Sequence, residues 1–195
     1  MWLVELVVLF LVPLGLCLLG ASYHQHKEET ERSPLVGAGV LVFYALHAGF
    51  TAAAAWRGIW PVALPQVISI SVGLAMAIVG LGLFLAGVGA FRSLARISGT
   101  RNDHLIITGI YRFSRNPQNT GWGMIVIGLA LAGRSGLGLA LALPFWIVLH
   151  IYLLWVEEPY LRGVFGEVYR AYCRRTPRYL GIPRSRSRTD SPDEC

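Results

Sequence analysis

The order of hydrophobic and polar positions divides the chain into long apolar runs separated by short charged intervals. Trp2 to Leu19 is apolar over about the length that crosses a bilayer at the helical rise. A polar loop of mixed charge follows, Tyr23 to Ser33, and a second apolar run covers Pro34 to Trp56. Arg57 to Pro65 reads as a short turn with two prolines and an interfacial Trp60, before a third, glycine-rich run from Val67 to Phe91. Pro117 to Ala132 covers only about 24 Å at helical rise, so it is expected to be tilted or partly buried. Gly133-Arg134-Ser135-Gly136 turns the chain into a fifth run, Leu137 to Val156. Glu5 as the sole early charge and Leu19-Gly20-Ala21 as a poor cleavage site favour a retained first span over a signal peptide.

The most structured polar interval is His104 to Gly121. Thr108-Gly109 predicts a turn and Tyr111-Arg112-Phe113 a short amphipathic piece. Asn116-Pro117 predicts a helix start, with Asn as N-cap and Pro where its missing N–H costs nothing. A helix start suits an anionic group, and Arg112 and Arg115 would add to its field. A basic loop that simply opens the next membrane helix is the other reading.

Glu157-Glu158-Pro159 ends the fifth run, and the residue before proline disfavours the α conformation, so a helix break is expected there. Two carboxylates at a membrane edge need cations or donors. Either they form a plain salt bridge to the polar loop, or a zwitterionic ligand lies between them and the arginines. Glu158, directly before the break, ranks ahead of Glu157. His150, seven residues before Glu157, would share its helical face and line the same cavity. His47, inside the second run, is either functional or a neutral imidazole bonded to a neighbouring helix. Beyond the glutamates, Pro159 to Thr176 predicts an amphipathic helix. Its apolar stripe would be Leu161, Val164, Phe165, Val168 and Tyr172, and it would lie on the membrane or form a lid.

Composition sharpens this picture. Hydrophobic residues make up 54% of the chain and charged residues 14%, with a mean hydropathy of +0.53, values of an integral membrane protein. The net charge of +6 is carried by arginine, Lys27 being the sole lysine, and those arginines flank apolar runs, so orientation in the bilayer and contact with anionic lipid explain them better than nucleic acid does. Five spans with the N-terminus outside and the C-terminus cytoplasmic place 15 of the 17 basic residues in the cytoplasm, leaving Arg57 and Arg134 outside. Cys17, Cys173 and Cys195 have neither metal nor redox spacing, and His24 with His26 lacks further ligands, so no metal site is expected.

His104-Leu105-Ile106, Thr108 to Arg112, Arg115-Asn116-Pro117 and Gly121, followed by Glu157-Glu158-Pro159, F-G-E-V-Y-R-A-Y and R-T-P-R-Y-L, resemble the motifs of the isoprenylcysteine carboxyl methyltransferase family. Phospholipid N-methyltransferases share the Asn-Pro and the Glu-Glu-Pro. The resemblance spans Phe91 to Leu180. It implies a membrane-embedded enzyme that uses S-adenosyl-L-methionine, with His104, Leu105, Tyr111, Arg115, Asn116, Glu157 and Glu158 around the cofactor. One of Gly80-Leu81-Gly82 and Gly87-Val88-Gly89 would approach it too. Two positions depart from the carboxyl methyltransferase pattern: Asn116 stands where His is usual, and Asn119 where Tyr is usual.

The expected architecture is an all-α integral membrane protein of about five transmembrane helices, with a C-terminal amphipathic helix closing a cytoplasmic-side cofactor pocket. Residues 1–66 form N-terminal helices, 67–180 a catalytic region and 181–195 a disordered tail. The expected activity is methyl transfer to a lipophilic acceptor from the bilayer, among membrane lipids. Arg112 and Arg115 would orient an anionic substrate, and His150 is a candidate base. Phospholipid N-methylation, NADPH-dependent reduction of the sterol type and a non-catalytic scaffold are the alternatives.

Overall fold

The computed structural model describes residues 12–27, 33–91 and 105–184, and every regular element within them is helical. Helix α1 is Val12–Lys27, α2 Pro34–Trp56, α3 Gln66–Phe91, α4 Pro117–Ala132, α5 Gly136–Tyr152 and α6 Glu158–Arg175, with a 3₁₀ turn at Gly109–Arg112 before α4. Three stretches, Leu35–Trp56, Gln66–Phe91 and Gly136–Arg175, are long and apolar enough to cross a membrane. Much of the expected first span, His104, and most of the expected tail lie outside the described residues. The α1 helix continues to Lys27 through the start of the expected loop, because no glycine or proline interrupts Ser22 to Lys27.

Serines start two of the long helices. Ser33 Oγ accepts from the Val36 N–H at 3.3 Å, with Pro34 opening α2, and Ser135 Oγ accepts from the Gly138 N–H at 3.1 Å to open α5.

The short α4 is buried among α2, α3 and α5. Its closest neighbour is α3, and glycine is the reason. Gly73, Gly80 and Gly87 recur every seven residues on one α3 face and are buried. A Cβ at Gly80 would stand 2.6 Å from the Gly121 carbonyl, and one at Gly73 2.6 Å from that of Gly128. The two backbones therefore touch in an antiparallel pair, as small residues permit in lipid.

At one end of the bundle the two arginine-poor connections meet. Val62 N–H donates to Arg134 O at 2.9 Å, Gly136 N–H to Trp60 O at 2.8 Å, and Ser135 Oγ to Ile59 O at 2.9 Å. The 3₁₀ turn, α6 and residues 176–184 gather at the other end.

The expected break before Pro159 does not occur. Glu157 and Glu158 both keep helical dihedrals, and Leu153–Glu157 forms a π turn in which the Glu158 N–H bonds Leu153 O. Widening the turn accommodates a proline ring that would crowd the carbonyl four residues back. The bend comes later, at Gly166, whose φ of +53° glycine adopts without strain. Of the expected apolar stripe, Tyr172 is buried and Leu161 and Phe165 are partly buried, whereas Val164 and Val168 are exposed.

Candidate functional site

Gly109, at φ +61°, reverses the chain into the 3₁₀ turn. With three residues per turn, neighbours diverge sharply, and here Tyr111 points inward while Arg112 stays exposed. The Tyr111 hydroxyl donates to Gly87 O at 3.5 Å, and its ring meets Phe91 edge-on at 5.7 Å. Burial pushes the Tyr111 phenol far above its usual pKa. Tyr172 of α6 donates to the Tyr111 carbonyl at 2.7 Å and so pins α6 to the turn.

Helix α4 begins at Asn116-Pro117 as expected, but the Asn116 side chain does not cap it. Its Nδ2 instead donates to Arg178 O at 3.3 Å, while Ser114 Oγ accepts the Asn116 N–H at 3.0 Å. The carboxamide ties the loop to the segment after α6, and proline alone supplies the helix start.

The centre of this end is Glu158, 1% exposed and met by three arginines. Arg178 grips it at two points, Nε to Oε1 at 2.7 Å and Nη2 to Oε2 at 2.9 Å. Arg115 Nη1 lies 3.1 Å from Oε1, and Arg162 Nη2 3.5 Å from Oε2. The Glu158 hydrogen bonds raise the Arg178 pKa further. Burial alone would lower that of Arg115, and the Glu158 carboxylate together with Cys173 and Tyr169 reverses it. Three cations on one anion leave a local excess of positive charge. Arg115, 9% exposed, also keeps a buried Nε–H with no acceptor.

Residues 176–184 strap this cluster to the loop. Arg115 N–H donates to Pro177 O and Gly181 N–H to Phe113 O, both at 3.0 Å, and Thr176 Oγ1 donates to Arg112 O at 3.4 Å. Tyr179 reaches α5, where its hydroxyl lies 2.6 Å from His150 Nδ1.

A cavity of about 440 Å³ opens beside the cluster. Its polar mouth is lined by Leu105, Tyr111, Arg115, Asn116, Glu157 and Glu158, which brings together every described residue that the resemblance placed around a cofactor. Its inner part is a chamber walled by Phe43 and Tyr44 of α2, Phe84 of α3, Trp122 of α4 and Phe145 of α5. Two expected site residues are elsewhere. Arg112 is exposed, and its carbonyl accepts from Thr176 Oγ1. His150 lines the Tyr179 contact and not the cavity, because the π turn between it and Glu157 spoils the seven-residue register.

Of the two Gly-x-Gly candidates, Gly80 and Gly87 face α4, and a Cβ at Gly82 or Gly89 would meet nothing within 4 Å. Val88 reaches the cavity between the second pair. His47 takes the structural course: buried, it lies 3.3 Å from Leu141 O and stacks on Phe145 at 4.3 Å.

Sequence reasoning missed Arg178 and the aromatic chamber. Arg178 stands inside the R-T-P-R-Y-L segment and was legible there as a second cation for the glutamates. The chamber residues are single aromatics within apolar runs, and only packing shows that they converge.

No curated protein and no solved structure matches this chain. The profile described as phospholipid methyltransferase matches residues 68–168, 101 of the 195 residues, from α3 through the first turns of α6. With the matched segment containing the 3₁₀ turn, the Asn-Pro helix start and both glutamates, the chain belongs to the phospholipid methyltransferase family of membrane methyltransferases.

Proposed function

We propose that the protein transfers a methyl group from S-adenosyl-L-methionine to a lipophilic acceptor drawn from the bilayer. The observation that carries this reading is the single cavity with a charged mouth and an aromatic inner chamber. Its volume of about 440 Å³ falls within the common range for small-ligand sites, about 300–1,000 Å³.

The residues at the mouth fit the cofactor's amino-acid end. The Arg115 Nε–H is a buried donor without an acceptor, matched to a carboxylate, and the Glu157 carboxylate on the same lining is matched to an ammonium. Glu158 is committed to its arginines and acts at one remove, by fixing Arg115. When bound, the cofactor supplies an electrophilic methyl group on sulfur. The chain's part is to align the nucleophile and exclude water, which the aromatic walls and the strap do. An isoprenylcysteine carboxylate and a phospholipid amine both fit the acceptor description. The carboxylate reacts as it stands, and the amine must first lose a proton.

The reductase alternative needs cations for a dinucleotide's phosphates, and among the described lining residues Arg115 is the one cation, already paired with Glu158. Calorimetric titration of the detergent-purified protein tests the choice. Saturable binding of S-adenosyl-L-methionine with no heat from NADPH is expected. Binding of NADPH alone would overturn the reading.

A further inference from the structure

Tyr44 and Asn119 bring a hydrogen-bonded polar pair into the aromatic chamber, where Trp122 also keeps a buried indole N–H. Tyr44, from α2, donates its hydroxyl to Asn119 Oδ1 at 3.1 Å, and both side chains line the cavity. Tyr44 is itself set by rings: Trp122 at 5.1 Å, Phe145 at 5.5 Å edge-on and Phe43 at 6.4 Å. Its hydroxyl direction is therefore fixed by packing on three sides.

We infer that Asn119, oriented by Tyr44, selects the methyl acceptor by donating a hydrogen bond to an oxygen of its head group. A carboxamide has one acceptor end and one NH₂ end with two donors. Engaging Oδ1 with Tyr44 settles which end is which, and leaves Nδ2 as the end that can donate to a guest in the cavity. The position suits such a role. Asn119 lies three residues after Asn116, which lines the mouth, and three before Trp122, which walls the chamber, and positions three apart share a helix face. Asn119 is therefore at the junction of mouth and chamber. A lipophilic acceptor with its apolar body among the rings carries its head to this junction. An anionic or carbonyl oxygen there also meets the excess positive charge around Glu158. A head without oxygen leaves the donor unmatched in an aromatic chamber, and sites built to hydrogen-bond a ligand discriminate strongly against analogues lacking the partner. Tyr44 lies outside the family-matched residues 68–168, so this selection is built by pairing α2 with the matched segment.

The inference rests on the methyl-transfer reading for where the acceptor's head must lie, and its test separates the two. Three soluble amphiphiles serve as probes in calorimetric titrations of the purified protein: dihexanoylphosphatidylethanolamine, with a phosphodiester; N-acetyl-S-geranylcysteine, with a carboxylate; and dodecylamine, with no head oxygen. The wild type should bind one oxygen-bearing probe at least about tenfold more tightly than dodecylamine, and the better of the two identifies the head. Tyr44→Phe and Asn119→Leu should each shrink that preference by about tenfold while affinity for S-adenosyl-L-methionine stays constant. Asn119→Asp keeps an acceptor for Tyr44 but replaces the donor with an anion, so it should weaken both oxygen-bearing probes even if the leucine variant fails to fold. Equal preference in the wild type, or an unchanged preference in the folded variants, would reduce the pair to a tether between α2 and α4 and overturn the inference. Wild-type protein that shows the preference yet does not bind S-adenosyl-L-methionine would overturn the methyl-transfer reading alone.

Discussion

Arg178 holds Glu158 at two points, 2.7 and 2.9 Å, and so fastens the segment after α6 to the helix's own first turn. Paired arginine–carboxylate geometry of this kind is stronger and more directional than a single contact. Glu158 is buried and also meets Arg115 and Arg162, so its carboxylate joins three arginines at the edge of the cavity it helps to line.

Glu158→Gln should therefore unfold the protein more easily. Removing one partner of a buried ion pair costs about 3–5 kcal/mol, here by leaving arginines without their anion. The melting temperature in detergent should fall by roughly 10 °C. An unchanged melting curve would show that the arginines are satisfied without Glu158.

The two glycines of the Gly80-Leu81-Gly82 run should respond with opposite signs. A Cβ at Gly80 meets Gly121 O at 2.6 Å and Met124 Cβ at 2.7 Å, so Gly80→Ala forces α3 and α4 apart and should cost about 1–3 kcal/mol. A Cβ at Gly82 meets nothing within 4 Å, so Gly82→Ala should stabilise α3 by up to about 1 kcal/mol. Paired melting curves check both, and equal losses would contradict the packing of α3 on α4.

Much of this was legible in the sequence where a local rule had no competitor. Pro117 at a helix start, the turn at Gly133 to Gly136 and the apolar lengths of α2 and α3 need only the chain's own periodicity. Local rules failed where two of them acted together. Pro159 alone predicts a break, yet a proline next to residues that can form a wider turn is absorbed, and the π turn that absorbs it carries His150 away from the cavity. Asn116 alone predicts a cap, yet its carboxamide is taken by Arg178, sixty-two residues away. The Tyr44–Asn119 bond was beyond reach for the same reason: it joins helices seventy-five residues apart, and no spacing rule connects them.

The end of the bundle that carries Arg57 and Arg134 should face the outside, following the arginine asymmetry. Ser135, in the middle of its turn, is fully buried and bonded to Ile59 O, so it is a poor labelling site. Ala63, exposed at the same end, is a better one. With Cys17, Cys173 and Cys195 changed to serine, Ala63→Cys should react with a membrane-impermeant maleimide on intact cells, and a reporter fused after residue 195 should be cytoplasmic. Labelling only after permeabilisation would invert the topology.

Glu157 should behave unlike its neighbour, although the two are adjacent and identical in type. Consecutive residues of a helix point in different directions: Glu158 is buried among arginines, and Glu157 is partly exposed on the cavity lining. Suppose Glu157 meets the cofactor's ammonium. Glu157→Gln then keeps the side chain's shape and removes one charge-assisted hydrogen bond, worth about 1.5–3 kcal/mol. Affinity for S-adenosyl-L-methionine should fall roughly ten- to a hundredfold, because each 1.4 kcal/mol or so is a factor of ten. The melting temperature without ligand should move little, since the group is partly solvated. Glu158→Gln should act mainly on stability, with a lower melting temperature and, in the fraction that stays folded, a smaller loss of affinity that comes only through Arg115. Titrations and ligand-free melting curves of both variants, side by side, decide the assignment. Wild-type affinity in Glu157→Gln would remove it from the cofactor site.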